Sequence, residues 1–211
     1  YISLSFDDGY IKHYLIAKLL QKMNIKATFF IITHIKSFKG EKLLTAKPRF
    51  IKEIAIMGHE IASHTCTHPI LTNLIKEELE YELYVSKIRL EEIINDAVEG
   101  LAYPRGFFND KVIEIAKKYY KYARTMGKIN RWNNPLHKVD LYKIGGMGAR
   151  HLFRLLYNFV NMNPPILLVL VFHNEPVLQI LSIVKILLQI PYVKFITLKE
   201  AAHLIKYVKY I

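Results

Sequence analysis

The sequence contains one cysteine, Cys66, among its 211 residues. A single cysteine excludes an internal disulfide and a structural zinc site built from several thiolates, and it fits a reduced compartment. Apolar residues make up 52% of the chain, which excludes an intrinsically disordered protein. The length suits one domain with a sizeable core, and we expect that domain to cover residues 1–211.

Long hydrophobic runs are also missing. The apolar segment Pro165–Phe172 is interrupted by the polar segment His173–Pro176 before it could span a bilayer, so it predicts a buried strand and no transmembrane segment. No signal peptide precedes the first predicted strand. The chain begins at Tyr1, inside an apolar run and without an initiator methionine, so an upstream segment can have been trimmed. We expect a protein of the cytoplasm or of the cytoplasmic face of a membrane.

Acidic residues are few. The chain has 18 of them and 30 lysines and arginines, which gives a formal net charge of +12. Such a charge suits an acidic partner, for example an anionic glycan, a phosphate-linked lipid or nucleic acid. The lysines are scattered along predicted helices, however, and this favours an ordinary solvated surface. No interleaved aromatic motif is present, so nucleic acid is not an expected partner.

Short apolar runs alternate with longer amphipathic segments, and no repeat or linker interrupts them. The predicted strands are Ile2–Phe6, Ala27–Ile32, Glu60–Ser63, Gly100–Tyr103, Tyr122–Arg124, Ile166–Phe172 and Lys194–Ile196. The predicted helices are Ile11–Met23, Arg49–Met57, Lys76–Ile94, Asp110–Lys118, Arg150–Asn161, Val177–Gln189 and Leu198–Tyr207. The alternation predicts an α/β fold of parallel βαβ units, either a distorted (β/α) barrel of about seven strands or a doubly wound open sheet. The irregular segment Thr125–Gly148 predicts loops over one end.

The first chemical signal is a carboxylate pair. Asp7 and Asp8 end an apolar strand, and Gly9 follows. Neighbours on a straight strand point to opposite faces, so both can serve one site only where the chain bends, which glycine permits. A cation beside the pair would stabilise both anions. The alternative is that the pair caps the helix that begins just after it.

The second signal is a histidine pair. His64 and His68 follow the strand Glu60–Ser63, and four-residue spacing places both imidazoles on one face of a helical turn. Zinc commonly takes two histidines and one carboxylate. Such pairs also occur in surface or core roles, but the position at a strand end favours a metal site. Cys66 would point away if the turn is helical.

The third signal is His173, which ends the strand Ile166–Phe172. It is either a hydrogen-bonded core histidine or a general acid, because imidazole titrates near neutral pH. All three signals follow the carboxyl ends of predicted strands, which share one rim in parallel α/β folds. A metal site with a spare carboxylate and a spare histidine provides the groups that hydrolysis requires.

These segments resemble the polysaccharide deacetylase family, which comprises the family 4 carbohydrate esterases with the NodB-homology domain. Ser5–Gly9 is similar to the family's first motif, Thr/Ser-Phe-Asp-Asp-Gly. Ile25–Phe30 is similar to its second strand, and Gly58–Pro69 is similar to its second motif over the whole stretch. The order and spacing of these segments are far more specific than any one of them alone.

The resemblance implies a distorted (β/α) barrel with one divalent metal ion, usually zinc. It implies that Asp8, His64 and His68 bind the metal, that Asp7 is the general base and that His173 is the general acid. The implied reaction is hydrolysis of an N-acetyl group on an amino sugar or polysaccharide, giving acetate and a free amine.

The third motif of the family, often Arg-x-Pro-Tyr, differs here because Ala102 stands where the arginine would be. Some members of the Ala-Tyr-Pro type supply that arginine from the next strand, and Arg124 matches the position. We therefore predict that Arg124 contacts Asp7 and that Arg105 faces substrate or solvent. The predicted substrate-binding residues are Tyr103, Pro104, Arg105, Gly106 and Trp132, the last as a platform for a sugar ring or as a core residue.

Other functions remain open on the sequence. The target could be a formyl group on a lipid-linked sugar or a cyclic amide handled without metal, although the intact ligand set argues against the second. A catalytically inactive glycan-binding module is compatible with the altered third motif, but the presence of Asp7 and His173 argues against it. Nucleic-acid binding through the positive charge would leave the motifs unexplained.

Overall fold

The computed structural model of the chain describes residues 1–126, 134–151 and 165–209. Trp132 and most of the predicted helix Arg150–Asn161 lie outside these residues. None of the described helices has the length and apolar character needed to cross a bilayer.

The predicted helices that fall within the described residues are confirmed, and their ends shift by no more than two residues. The helices are α1 (His13–Lys22), α2 (Pro48–Ile56), α3 (Lys76–Ile94), α4 (Asp110–Tyr119), α5 (Val177–Leu188) and α6 (Leu198–Lys209). The strands are β1 (Ile2–Phe6), β2 (Thr28–Ile31), β3 (Ser37–Phe38), β4 (Glu41–Lys42), β5 (Glu60–Ser63), β6 (Gly100–Ala102), β7 (Tyr122–Met126), β8 (Asn134–Pro135), β9 (Ile144–Gly148) and β10 (Ile166–Phe172).

Seven parallel strands form a closed ring in the order β1, β2, β5, β6, β7, β9 and β10. The ring closes because β10 pairs with β9 on one side and with β1 on the other, where Phe6 lies opposite Phe172. This closure confirms the predicted distorted (β/α) barrel and excludes the open sheet. The short strand β8 pairs antiparallel with β10, and β3 and β4 form a separate hairpin.

One barrel strand was predicted wrongly. Lys194–Ile196 is not a strand, since only Phe195 forms an isolated bridge with Ile2. The seventh strand is β9, which lies in the segment predicted as loops. Its glycines make the segment unlike a strand in sequence. A Cβ at Gly146 would lie 2.7 Å from Cγ2 of Val171 and 3.1 Å from Cδ of Arg124. The space that a normal strand side chain would fill is therefore already occupied by a large neighbour.

Alternation along β1 separates the two layers of the protein. Ile2, Leu4 and Phe6 belong to the apolar core between the barrel and its helices. Ser3 and Ser5 are fully buried as well but point to the opposite side of the strand, into the barrel. The barrel interior is thus partly polar, and this polar side leads up to the carboxyl end of β1, where the site lies.

A buried carboxylate lies at the opposite end of the barrel, where α6 begins. Glu60 accepts hydrogen bonds from the Tyr122 hydroxyl at 2.6 Å, the Thr28 hydroxyl at 2.8 Å and the backbone N–H of Lys199 at 2.9 Å. Burial raises the pKa of Glu60 from 4.5 to about 7, although these three donors oppose the rise. The protonated form of Glu60 is therefore favoured more by the folded chain than by the unfolded chain.

The raised pKa of Glu60 predicts a pH-dependent stability. Between about pH 4.5 and 7 the folded chain keeps a proton that the unfolded chain has lost, so the free energy of unfolding should fall as the pH rises through this window. Glu60→Gln should remove this part of the dependence. Urea unfolding at pH 5 and pH 8 measures it, with the exposed Glu77→Gln as control. Parallel pH curves for wild type and Glu60→Gln would contradict the prediction.

Candidate active site

The predicted site residues converge on the rim formed by the carboxyl ends of the strands. Asp7 and Asp8 follow β1, His64 and His68 follow β5, and His173 follows β10. Arg124 reaches the same place from within β7 and is fully buried. Residues separated by more than 100 positions in the chain thus meet in one cluster.

The aspartate pair shares one site because the backbone bends beneath it. Asp8 and Gly9 have φ angles of 68° and 76°, so two successive residues adopt the left-handed region. The capping alternative is wrong, since α1 begins at His13 and its N-cap position is occupied by Lys12. The left-handed conformation costs a non-glycine residue energy and is found at functional sites when the surroundings enforce it.

Asp8, His64 and His68 form a cluster suited to a metal ion, with one ligand atom from each residue lying within 4.8 Å of the others. Nε2 of His64 is 3.5 Å and Nε2 of His68 is 3.6 Å from Oδ1 of Asp8. Neither carboxylate oxygen of Asp8 has a hydrogen-bond partner of normal geometry among the described residues, although both are buried. A buried carboxylate without a well-formed hydrogen bond, one oxygen of which faces two imidazole nitrogens, fits a divalent cation.

The protonation of the cluster also fits a cation. Nδ1 of His64 lies 2.9 Å from the carbonyl oxygen of Ala102, so Nδ1–H donates to it and Nε2 presents a lone pair towards Asp8. Burial works to raise the pKa of Asp8, but the imidazoles of His64, His173 and His68 outweigh it and hold the pKa below its usual value. Asp8 is therefore an anion.

The loop between the two histidines is not the helical turn that the spacing predicted. Thr65 and His68 have φ angles of 69° and 64°, and the loop folds back on itself so that the imidazole rings lie 4.8 Å apart in an edge-to-face arrangement. The Thr65 hydroxyl accepts a hydrogen bond from the backbone N–H of His68 at 3.0 Å. Cys66 points away from the cluster, towards the carbonyl of Glu82 at 3.6 Å, although the helical turn on which that expectation rested is absent. Burial raises the pKa of its thiol to about 12.

The predicted contact between Arg124 and Asp7 is confirmed. Nη2 of Arg124 donates to both carboxylate oxygens of Asp7, at 2.7 and 2.6 Å. The guanidinium also lies over the ring of Phe30, 5.0 Å from its centroid. Burial raises the pKa of Asp7, but Arg124 and the nearby histidines outweigh it, so the net pKa is lowered and Asp7 is ionised. A planar guanidinium fixes both the charge and the angle of this carboxylate.

His173 also lies beside Asp7. Its Nε2 is 3.6 Å from Oδ2 of Asp7, and its side chain is 38% exposed, so it can reach a ligand in the cleft. Its backbone is fixed from both sides: its N–H donates to Glu175 at 2.6 Å, and its carbonyl accepts from Nε2 of His13 at 2.7 Å. Burial lowers the pKa of His13 to about 4, which keeps that imidazole neutral. His13 is thus a support for the rim.

The predicted substrate-binding residues in the turn after β6 differ in their exposure to solvent. The Tyr103 ring is buried and its hydroxyl donates to the carbonyl of Tyr142 at 3.1 Å, so this side chain belongs to the core. Arg105 is exposed, as predicted, and has a φ of 58°. Only glycine fits at position 106 without a steric clash, because a Cβ there would lie 2.7 Å from the backbone nitrogen of Met126. Trp132 lies outside the described residues.

Backbone N–H groups of this turn differ in their availability. The N–H of Tyr103 donates to the carbonyl of Arg124 at 3.0 Å, and that of Gly106 donates to Tyr103 at 2.9 Å. Pro104 has no N–H. Within the described residues, the N–H of Arg105 donates to no backbone carbonyl outside regular helices and strands.

Sequence analysis missed Glu82, which contacts the histidine loop from α3. Its side chain accepts hydrogen bonds from the N–H groups of Cys66 and Thr67. A signal for it exists in the sequence, because Glu82 shares the buried face of α3 with Leu79, Leu83, Ser86 and Leu90. A glutamate at a buried helical position indicates a specific polar partner.

Comparison of the sequence with known proteins identifies the same family as the motifs do. The model of the polysaccharide deacetylase family matches residues 1–123. The chain is 31% identical over 121 residues to a peptidoglycan-N-acetylglucosamine deacetylase of Bacillus cereus, covering 56% of this chain and 52% of that protein. It is 28% identical over 161 residues to the peptidoglycan-N-acetylmuramic acid deacetylase PdaA of Bacillus subtilis, covering 72% and 58%. The chain thus spans about half the length, or less, of most curated relatives that it matches.

Among solved structures, the chain is similar to a pseudoenzyme of carbohydrate esterase family 4 from Bacillus anthracis, with a TM-score of 0.66 and 20% identity. The match covers 95% of this chain and 64% of that chain. At this identity the similarity shows the fold, and the fold is the barrel described above.

Proposed function

The chain belongs to the polysaccharide deacetylase family, and we propose that it is a metal-dependent hydrolase that removes N-acetyl groups from an amino sugar or polysaccharide. The observation that carries the proposal is the buried carboxylate of Asp8, which has no hydrogen-bond partner of normal geometry among the described residues and whose Oδ1 faces Nε2 of His64 and of His68. Beside them, Asp7 is ionised and held by Arg124. This combination suits hydrolysis of an amide rather than binding alone.

A divalent cation held by Asp8, His64 and His68 supplies Lewis-acid activation of water and of the acetamide carbonyl. A donor set of two imidazole nitrogens and one carboxylate oxygen would favour Zn²⁺. The hydrogen bond from His64 to the Ala102 carbonyl orients the ring for this role.

The protein residues move the protons. Asp7 accepts the proton of the attacking water, because it is an anion fixed in one orientation by Arg124. His173 donates a proton to the departing nitrogen, because its ring lies beside Asp7 and is partly exposed. The N–H of Arg105 donates to the acetamide oxygen as negative charge develops on it. The products are acetate and a free amino sugar.

The substrate is proposed to be an N-acetylated glycan, because relatives of the chain carry the names of peptidoglycan and chitin deacetylases. The net charge of +12 supports an anionic or lipid-linked acceptor within this class. An inactive, glycan-binding protein is the second candidate, since a structural neighbour is a pseudoenzyme. The Arg124–Asp7 contact favours an active enzyme, because Arg124 supplies the guanidinium that is absent at Ala102.

Release of acetate from a panel of N-acetylated sugars, oligomers and lipid-linked sugars tests the proposal. Asp7→Asn and His173→Ala should each keep the metal but reduce turnover by roughly 10²–10⁴-fold, the usual contribution of one proton-transfer group. Metal analysis of the same samples separates the two effects. His203→Ala, at the far end of the barrel, serves as control. Turnover near that of wild type in either variant would defeat the assigned proton transfers.

A further inference from the structure

Glu82 is a buried acidic residue that the proposed reaction does not use. It lies on the inner face of α3 and is only 8% exposed. Buried carboxylates usually require a cation or several hydrogen-bond donors. In the described part of the chain, all the hydrogen bonds that the Glu82 carboxylate accepts come from the loop that joins the two histidines.

Three donors of that loop converge on the carboxylate. Oε2 accepts from the backbone N–H of Cys66 at 2.8 Å and from that of Thr67 at 3.0 Å. Oε1 accepts from the Thr67 hydroxyl at 2.7 Å. The loop is neither helix nor strand, so these N–H groups have no regular backbone acceptor, and Glu82 takes that place.

The loop needs such support because its conformation is unfavourable in isolation. Thr65 and His68 both adopt positive φ angles, which are unfavourable for residues with a side chain. This conformation brings both imidazoles towards Asp8. Any relaxation of the segment between them would change the angle or distance of at least one ligand.

We propose that Glu82 is a positioning residue for the metal site, which holds the backbone of Cys66 and Thr67 and thereby presents His64 and His68 to the same cation. The proposal rests on the proposed function, because it requires that these histidines bind metal. Glu82 acts through the loop and touches neither the metal nor the substrate.

Metal affinity of the full chain tests the proposal without reference to activity. Zn²⁺ titration of Glu82→Ala and Glu82→Asp should show affinity about 10- to 100-fold below wild type, the usual loss when a residue that supports a metal ligand is removed. Aspartate keeps the charge but is one methylene too short to reach both amides. Glu82→Gln should bind nearly as well as wild type, because its carbonyl oxygen can still accept from both.

The visible absorption of bound Co²⁺ reports ligand geometry and should change in the alanine and aspartate variants but not in Glu82→Gln. Glu80→Gln, partly exposed on the same helix and paired with Lys118, is the matched control. If Glu82→Ala does not fold, Glu82→Asp decides the question. Wild-type affinity and spectrum in Glu82→Asp would overturn the proposal. Equal losses in Glu82→Gln and Glu82→Ala would also overturn it, because charge alone would then explain them. Wild-type protein that binds neither metal would overturn the proposed function as well.

Discussion

Alanine in place of His64 or His68 should abolish metal binding and deacetylation together. Each change removes one of three ligands, and the remaining pair cannot hold a divalent cation against exchange with solvent. Without the cation, and with one imidazole lost, only the remaining imidazoles offset the negative charge of the buried Asp8. The effect should be total, in contrast to the partial loss expected when Asp7 or His173 changes.

Metal content per chain and acetate release, measured on the same preparation, check this expectation. His203→Ala is a suitable control, because His203 lies far from the rim and pairs with Glu99 at 3.4 Å. His64→Ala with a full complement of zinc would refute the ligand assignment. Circular dichroism of each variant separates loss of metal from loss of fold.

Replacement of Arg124 by methionine should have the second largest effect, because it affects both turnover and stability. The change leaves the ionised Asp7 buried without its cation, which typically costs about 3–5 kcal/mol when one member of a buried pair is removed. Turnover should fall by at least roughly 10²-fold, since the general base loses its fixed orientation. Arg105→Met should change turnover far less, because Arg105 is exposed.

A double variant distinguishes the two effects. Asp7→Asn combined with Arg124→Met removes both charges, so the free energy of unfolding should recover much of what Arg124→Met loses, while activity stays absent. Urea unfolding and acetate release provide the measurements. If Arg105→Met lowers turnover more than Arg124→Met, the arginine that orients the base has been assigned wrongly.

Features that depend on local pattern were predictable from the sequence. β10 is a continuous apolar run, and α3 has a regular buried face, so both were predicted with their observed bounds. β9 was missed because strand propensity describes side chains that pack on a sheet, whereas Gly146 is there to leave room for Arg124. Lys194–Ile196 has the composition of a strand, but the barrel is already closed by β10 and β1.

The site was predictable where it depends on which strand ends share a rim. The contact between Arg124 and Asp7 follows from that rule together with the missing arginine at Ala102. The loop after β5 was not predictable in detail, because two left-handed residues replace the expected helical turn. Glu82 was missed for a related reason: its partners are backbone amides of a loop whose shape appears only in the folded chain.

The position of Arg124 limits which single substitutions at neighbouring positions could have been tolerated during evolution of this protein. Ala102 is its direct partner across the β6–β7 pair, and Gly146 leaves room for its side chain from β9. An arginine restored at position 102 would meet a second guanidinium beside the same carboxylate, and loss of Arg124 first would leave Asp7 unpaired. A larger residue at position 146 would collide with Arg124 and Val171. The small residues at 102 and 146 and the arginine at 124 should therefore be inherited as a set.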